Sequence, residues 1–150
     1  AIRKLCRQRL SQEKSSGENL AQSQQMRTGD IAQLTEKANE QHYEVSPDFF
    51  RIVLGPRLKY SSCFFANENT TLAEAEEDAL RITCERAELT DGMQVLELGC
   101  GWGSLSLWMA EKFPHSQIVA VSNSDSQRKY IEAVAGQRGF DNLKIITAER

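Results

Sequence analysis

The sequence predicts an α/β protein whose C-terminal half is the opening part of a doubly wound parallel sheet. Three observations predict it. Apolar residues crowd into one region, sixteen of the 29 at positions 93–121 against eight of the 34 at positions 11–44, so the core is built from the second half. Short β-type runs at 94–98, 118–121 and 143–147 alternate with two helical patterns in the order β-α-β-α-β. A glycine-rich loop sits where the first strand meets the next helix, the place where open α/β sheets bind ligands.

The elements follow in order. Residues 1–14 carry Arg3, Lys4, Arg7, Arg9 and Lys14 against Glu13, with Ile2, Leu5, Cys6 and Leu10 at helical spacing, which predicts a short basic amphipathic helix. Such a helix either packs on its own domain or makes weak contact with an anionic membrane surface or a partner. The polar stretch from Ser15-Ser16-Gly17-Glu18-Asn19 reads as a linker or marginal helix. An aromatic segment follows, His42-Tyr43-Glu44-Val45 with Phe49-Phe50, then Leu58-Lys59-Tyr60-Ser61-Ser62-Cys63-Phe64-Phe65, broken by Gly55-Pro56. Phe64 and Phe65 are expected to be core aromatics, and His42 to be hydrogen-bonded structure and not a base.

Thr71-Leu72-Ala73-Glu74 has capping-box spacing and predicts a helix over about 72–89. Asp91-Gly92 is a turn before the first strand. The next helix, 104–113, puts Leu105, Trp108 and Met109 on one face, and Pro114 separates it from the second strand. Ser124 caps the following helix, whose apolar face is Tyr130, Ile131, Val134 and Ala135, and Gly139 stands where a left-handed C-terminal residue belongs. Two regions are expected, a helical segment over 1–70 and the sheet domain over 71–150.

Composition excludes several function classes. The 150 residues are 40% hydrophobic and 26% charged, with mean hydropathy −0.49 and no apolar run longer than four, so neither a membrane span nor a secretory signal is predicted. A net charge of −3 supplies no field for nucleic acid. Cys6, Cys63, Cys84 and Cys100 are widely spaced and only two histidines are present, so neither a zinc site nor a disulfide framework is indicated, and a cytoplasmic protein with reduced thiols is expected.

The loop Glu97-Leu98-Gly99-Cys100-Gly101-Trp102-Gly103 carries the chemistry. Gly99 allows the sharp turn and Gly101 lets a ligand approach bare backbone. A pyrophosphate dinucleotide wants G-x-G-x-x-G and an acid ending the second strand, and both are missing: Gly103 comes one residue early, and the strand ends Val121-Ser122-Asn123. No Gly-Lys pair exists for a P-loop. What remains is a cofactor with a nucleoside and no phosphate, and Glu97 suits a cationic ligand bearing sulfonium and ammonium groups. Trp102 packs either behind this loop or over its ligand. Ser124 and Gln127 also have S-x-x-Q spacing, so Gln127 either closes a helix end or faces a ligand.

The segment 95–103 resembles motif I of the class I S-adenosylmethionine-dependent methyltransferases. With the three further blocks His42–Val45 plus Phe49-Phe50, Leu58–Phe65, and Val121–Ser124 plus Gln127, the chain is similar to the cyclopropane-fatty-acyl-phospholipid synthase superfamily, and within it to the coclaurine N-methyltransferase-like branch. The resemblance implies a Rossmann-like sheet, S-adenosyl-L-methionine as cofactor, and a small-molecule amine or a lipid as methyl acceptor. It implies that Tyr60 and Ser61 meet the methionine end of the cofactor, with Gly99 and Gly101 in the loop under the same end. Asn123 and Gln127 match residues that reach the ribose hydroxyls, which tips Gln127 toward a ligand role, and Glu97 and Ser122 are expected among the cofactor-binding residues. At the C-terminus Thr147-Ala148-Glu149-Arg150 departs from the family's threonine-alanine-aspartate-aliphatic pattern, so Glu149 takes the place of the acid that accepts from the adenine amino group.

A sheet of this class needs about six strands and three are legible. The chain also lacks an initiating methionine. The expectation is part of a longer enzyme, with acceptor pocket and catalytic residues beyond Arg150; the alternative is a truncated, non-catalytic product that acts at most as a cofactor-binding or interaction module.

Overall fold

A computed structural model describes residues 2–15 and 47–148. The chain divides into two compact units, residues 1–38 and 39–150. In the first, helix α1 spans Ile2–Ser15, and residues 3–12 of it are all exposed. The segment holding His42, Tyr43 and Val45 lies outside the described residues, as does most of the expected linker.

The second unit begins with α2 (Pro47–Val53), a seven-residue helix inside the aromatic segment that periodicity did not predict. It opens on proline, which suits a first helical position, and carries Asp48 in its first turn. Helix α3 (Leu72–Arg86) starts with both halves of the capping box between Thr71 and Glu74. It ends three residues earlier than the periodicity suggests. Glu88 turns left-handed (φ 53°), its N–H donates to Glu85 O, and Leu89 N–H donates to Cys84 O, a two-bond stop usually built on glycine.

The alternating unit follows: β1 (Gln94–Leu98), α4 (Ser104–Lys112), β2 (Gln117–Ser122), α5 (Asp125–Arg138) and β3 (Leu143–Thr147). The strands form a parallel sheet in the order β1-β2-β3, with Leu96 beside Val119 and Val121 beside Ile146. Ser124 caps α5 through Gln127 N, and Gly139 closes it at φ 70°. One face of the sheet is covered. Ile118 joins Leu80 and Cys84 of α3 and Trp108 and Met109 of α4 in one cluster, while Ala120 and Ile145 pack with Cys100, Leu107, Ile131 and Ala135. No described element covers the opposite face, where Leu96 is 63% and Leu98 74% exposed.

A charged network ties the loop after α2 to this layer. The Arg57 guanidinium grips both carboxylate oxygens of Glu111 (2.6 and 3.1 Å) and also donates to Glu77 (2.9 Å), which itself accepts from Trp108 Nε1 (2.7 Å). Fork-to-carboxylate pairing of this kind is strong. The hydrogen bond from Arg57 holds the Glu111 carboxyl down at about 2.

No helix among the described residues is long and apolar enough to cross a membrane. The four cysteines are free, and Cys84 and Cys100 are buried. Phe64 and Phe65, expected in the core, are instead 49% and 54% exposed. Their segment docks on the first turn of α3 through backbone, Phe64 N–H donating to Ala75 O, which leaves the rings facing outward.

Candidate functional site

The site forms where β1, β2, α4 and α5 converge on the glycine loop, residues 99–103. Gly99 and Cys100 both donate their N–H to Val121 O (2.9 and 3.0 Å), so the loop is tied to the neighbouring strand. Gly101 and Gly103 are both left-handed, at φ 54° and 78°, but they serve different ends. A Cβ built on Gly103 would lie 2.7 Å from Ile131 Cγ1, so this glycine admits α5 against the loop. A Cβ on Gly101 meets no atom within 4 Å. That position is a bare cradle.

Two cavities flank the loop and share Gly99, Gly101 and Gln127. The larger, about 370 Å³, is bordered by Lys59, Tyr60, Ser61, Glu97, Trp102 and Ser104 among others. The smaller, about 270 Å³, is bordered by Val121, Ser122, Asn123 and Ala148 as well. Eight of the nine residues singled out in the sequence therefore border these two spaces: Tyr60, Ser61, Glu97, Gly99, Gly101, Ser122, Asn123 and Gln127. Glu149 lies outside the described residues.

Glu97 points to the covered side of the sheet, where Ser106 Oγ of α4 donates a hydrogen bond to its Oε2. Burial dominates and pushes its carboxyl above the usual glutamate range, against the opposing pull of that hydrogen bond. Burial, with Glu97 beside it, also drives the Cys100 thiol up to about 11, so the thiol is a neutral wall of the cavity and not a nucleophile. Ser104 Oγ, on the wall of the same cavity, is buried with no hydrogen-bond partner among the described residues. An orphaned hydroxyl of this kind is costly unless a ligand or water completes it.

The ambiguity at Gln127 resolves into two separate contacts. Its backbone N–H donates to Ser124 Oγ, the capping bond, whereas its side-chain Oε1 accepts from Ser122 Oγ at 2.8 Å instead of closing the helix end. Ser122 Oγ also accepts from Ser124 N (3.1 Å), and both Ser122 and Gln127 are 2% exposed. Ser122 thus orients the Gln127 carboxamide at the boundary of the two cavities. Trp102 is likewise buried, with its ring 5.3 Å from Phe50 and 5.5 Å from Tyr130, and it walls the larger cavity at the same time. Tyr60 borders the larger cavity and is 72% exposed, its ring edge-on to Phe50 at 5.9 Å.

Two of the bordering residues not singled out in the sequence bring polar groups the site uses. Lys59 contributes a cation to the larger cavity, its Nζ 2.9 Å from Ser61 O. Ser104 contributes the orphaned hydroxyl. Neither stands out by spacing, since a surface lysine and a helix-initiating serine are common. The ensemble offers, on one side of the loop, a carboxylate, an ammonium and several hydroxyls around an aromatic wall, and on the other a pair of amides.

The family model of mycolic acid cyclopropane synthetase matches residues 31–149. The (S)-coclaurine N-methyltransferase of Thalictrum flavum subsp. glaucum is 44% identical over 119 residues, which cover 79% of this chain and 33% of that protein. A crystal structure of coclaurine N-methyltransferase bound to N-methylheliamine and SAH matches with a TM-score of 0.69 at 42% identity, covering 71% of this chain and 31% of that one. A mycolic acid cyclopropane synthase complexed with SAH and CTAB matches with a TM-score of 0.68 at 26% identity, covering 78% and 41%. The chain spans about a third of the length of the curated relatives it matches first.

Proposed function

The chain belongs to the mycolic acid cyclopropane synthetase family, and from that premise we propose that it is the cofactor-binding part of an S-adenosylmethionine-dependent methyltransferase acting on an alkaloid-like amine. Its parallel sheet and helices are those of the Rossmann-like methyltransferase fold. The observation that carries the reading is the pair of cavities meeting at Gly99, Gly101 and Gln127, because a sulfonium nucleoside has an amino-acid end and a nucleoside end to seat on either side of one loop.

The residues present fit that ligand. The bare cradle at Gly101 admits close backbone approach, and the orphaned Ser104 hydroxyl has a donor and an acceptor to offer. When bound, S-adenosylmethionine supplies an electrophilic methyl group. In our reading Glu97 opposes the positive charge, Tyr60 and Ser61 donate to the carboxylate of the methionine end, and Asn123 and the carboxamide that Ser122 orients reach the ribose hydroxyls. Glu149 is the proposed acceptor for the adenine amino group. No residue of this segment is assigned a bond-making step; its contribution is to hold the donor for in-line attack by an acceptor.

Titration calorimetry on the full-length protein tests the reading. S-adenosylmethionine and S-adenosylhomocysteine are expected to bind, and NAD is not, since the loop lacks dinucleotide spacing and the ribose acid. Preferential binding of NAD would overturn it. A labelled-methyl assay with benzylisoquinoline amines and phospholipids in parallel separates the proposed amine acceptor from a lipid.

Glu97→Gln gives a second expected result with opposite signs in its two readouts. Because the fold disfavours the ionised form, Glu97 opposes folding increasingly as pH rises from the ordinary glutamate value near 4.3 through its raised value. The cofactor-free variant is therefore expected to melt a few degrees above wild type at pH 7, with the difference closing below about pH 4. S-adenosylmethionine affinity is expected to fall about tenfold, and S-adenosylhomocysteine affinity by less, because only the former carries the sulfonium charge. Melting curves at the two pH values and paired titrations check this. Equal affinities would remove Glu97 from the site.

A further inference from the structure

One wholly buried carboxylate has no part in the function proposed above. Glu76 lies in α3 with its side chain fully enclosed, and it accepts hydrogen bonds from backbone. Gly55 N and Lys59 N donate to Oε1 at 3.1 and 3.0 Å, and Arg57 N donates to Oε2 at 2.8 Å. Burying a carboxyl group is costly unless fixed partners replace its water, and here three alternate amides of one loop converge to do so.

That loop has an improbable course. Leu58 is left-handed at φ 51° and Ser62 at φ 61°, conformations that side chains other than glycine rarely adopt and that persist only where the surroundings over-determine them. Between these two residues lie Lys59, Tyr60 and Ser61, all on the border of the larger cavity. The fit around the carboxylate is close from the other side as well. A Cβ on Gly55 would lie 2.7 Å from Glu76 Cδ, so a side chain there must displace the Glu76 carboxyl group although the φ of Gly55 is ordinary.

We infer that Glu76 is a positioning residue, whose carboxylate, received by the amides of Gly55, Arg57 and Lys59, holds residues 55–61 in the strained course that brings Lys59, Tyr60 and Ser61 to the amino-acid end of the cofactor. The inference rests on the proposed cofactor reading. It assigns to a helix interior the control of affinity for one end of a ligand that Glu76 does not touch. Side-chain identity at 76 therefore acts on the methionine end and leaves the nucleoside end alone.

The experiment compares S-adenosylhomocysteine with 5′-methylthioadenosine, which lacks the amino-acid end, by titration against the full-length protein. Glu76→Met keeps the length and removes both carboxyl oxygens, leaving only a weakly accepting thioether; it is expected to weaken S-adenosylhomocysteine about tenfold or more, the scale of stranding one or more buried amides, while methylthioadenosine affinity stays within about twofold. Glu76→Gln keeps an oxygen where two of the three amides converge and is expected to recover most of the loss. Gly55→Ala, which displaces the carboxylate from outside the helix, is expected to reproduce the Glu76→Met pattern and carries the comparison if that variant does not fold. Folded variants that bind S-adenosylhomocysteine as wild type does, or that lose both ligands equally, would overturn the inference. Wild-type protein that binds neither ligand would instead overturn the cofactor reading itself.

Discussion

Replacing Gly101 by valine is expected to abolish binding of S-adenosylmethionine to the full-length protein while leaving it folded. Gly101 sits at φ 54°, borders both cavities, and an added Cβ there meets no atom within 4 Å. The new Cβ therefore meets no atom of the protein, and the side chain projects into the space the ligand would fill. The folded state pays only the backbone term, on the order of 1–2 kcal/mol for a left-handed residue and more for a β-branched one, against a typical domain stability of about 5–15 kcal/mol. Affinity is expected to fall by at least about a hundredfold, about 2.7 kcal/mol. Gly101→Ala carries similar backbone strain with less volume and is expected to lie between. Calorimetric titration with circular dichroism on the same samples reads both quantities. Native dichroism with unchanged affinity would mean that the loop is a turn and nothing more.

The contrast with Gly103 shows how far sequence reasoning reaches in such a loop. Both glycines are left-handed, and spacing alone treats them as one motif. Only the packing of Ile131 against one of them separates a residue that admits a helix from a residue whose Cβ side faces open space. The alternating sheet unit was legible because every level agreed: apolar runs, the Thr71–Glu74 box, the Ser124 cap and Gly139 point to the same boundaries. Where one level was silent, legibility failed. The end of α3 was overrun because Glu88 takes the conformation that glycine would have advertised. Helix α2 has seven residues, too few for a periodicity to accumulate.

Glu76 was invisible for a different reason. Within the apolar stripe of α3 a glutamate reads as the solvated side, and its three partners come from a loop 17 to 21 residues earlier, whose amides carry no sequence signal at all. The same limit hid the outward turn of Phe64 and Phe65, since an aromatic pair looks identical whether a backbone hydrogen bond directs it inward or out. Caps and turns whose residues stand at fixed spacing were readable; partners supplied by the amides of a distant loop were not.

Residues 1–150 expressed alone are expected to aggregate or to melt without a cooperative transition, and to transfer no methyl group. Parallel strands are ordinarily buried on both faces, yet among the described residues α3, α4 and α5 cover one face and no element covers the other. On the other, Leu96, Leu98 and Ile146 are 63%, 74% and 40% exposed, and the register places Leu98 beside Val121 and Val121 beside Ile146, so the apolar residues run across all three strands as one patch. β1 is also an edge strand, free to pair with another chain. Fully burying such a side chain is worth roughly 1.5–3 kcal/mol, so the three at these exposures together forgo about 3–5 kcal/mol, a large share of a typical domain stability of about 5–15 kcal/mol. The loss is concentrated where β1 supports Glu97 and the glycine loop, so cofactor affinity is expected to suffer along with stability. Thermal melting, binding of a hydrophobic dye and the labelled-methyl assay on the isolated segment measure the three effects. A sharp monomeric melt with no dye binding would show that the covered face alone suffices to hold the sheet, and that the open one is a tolerated surface.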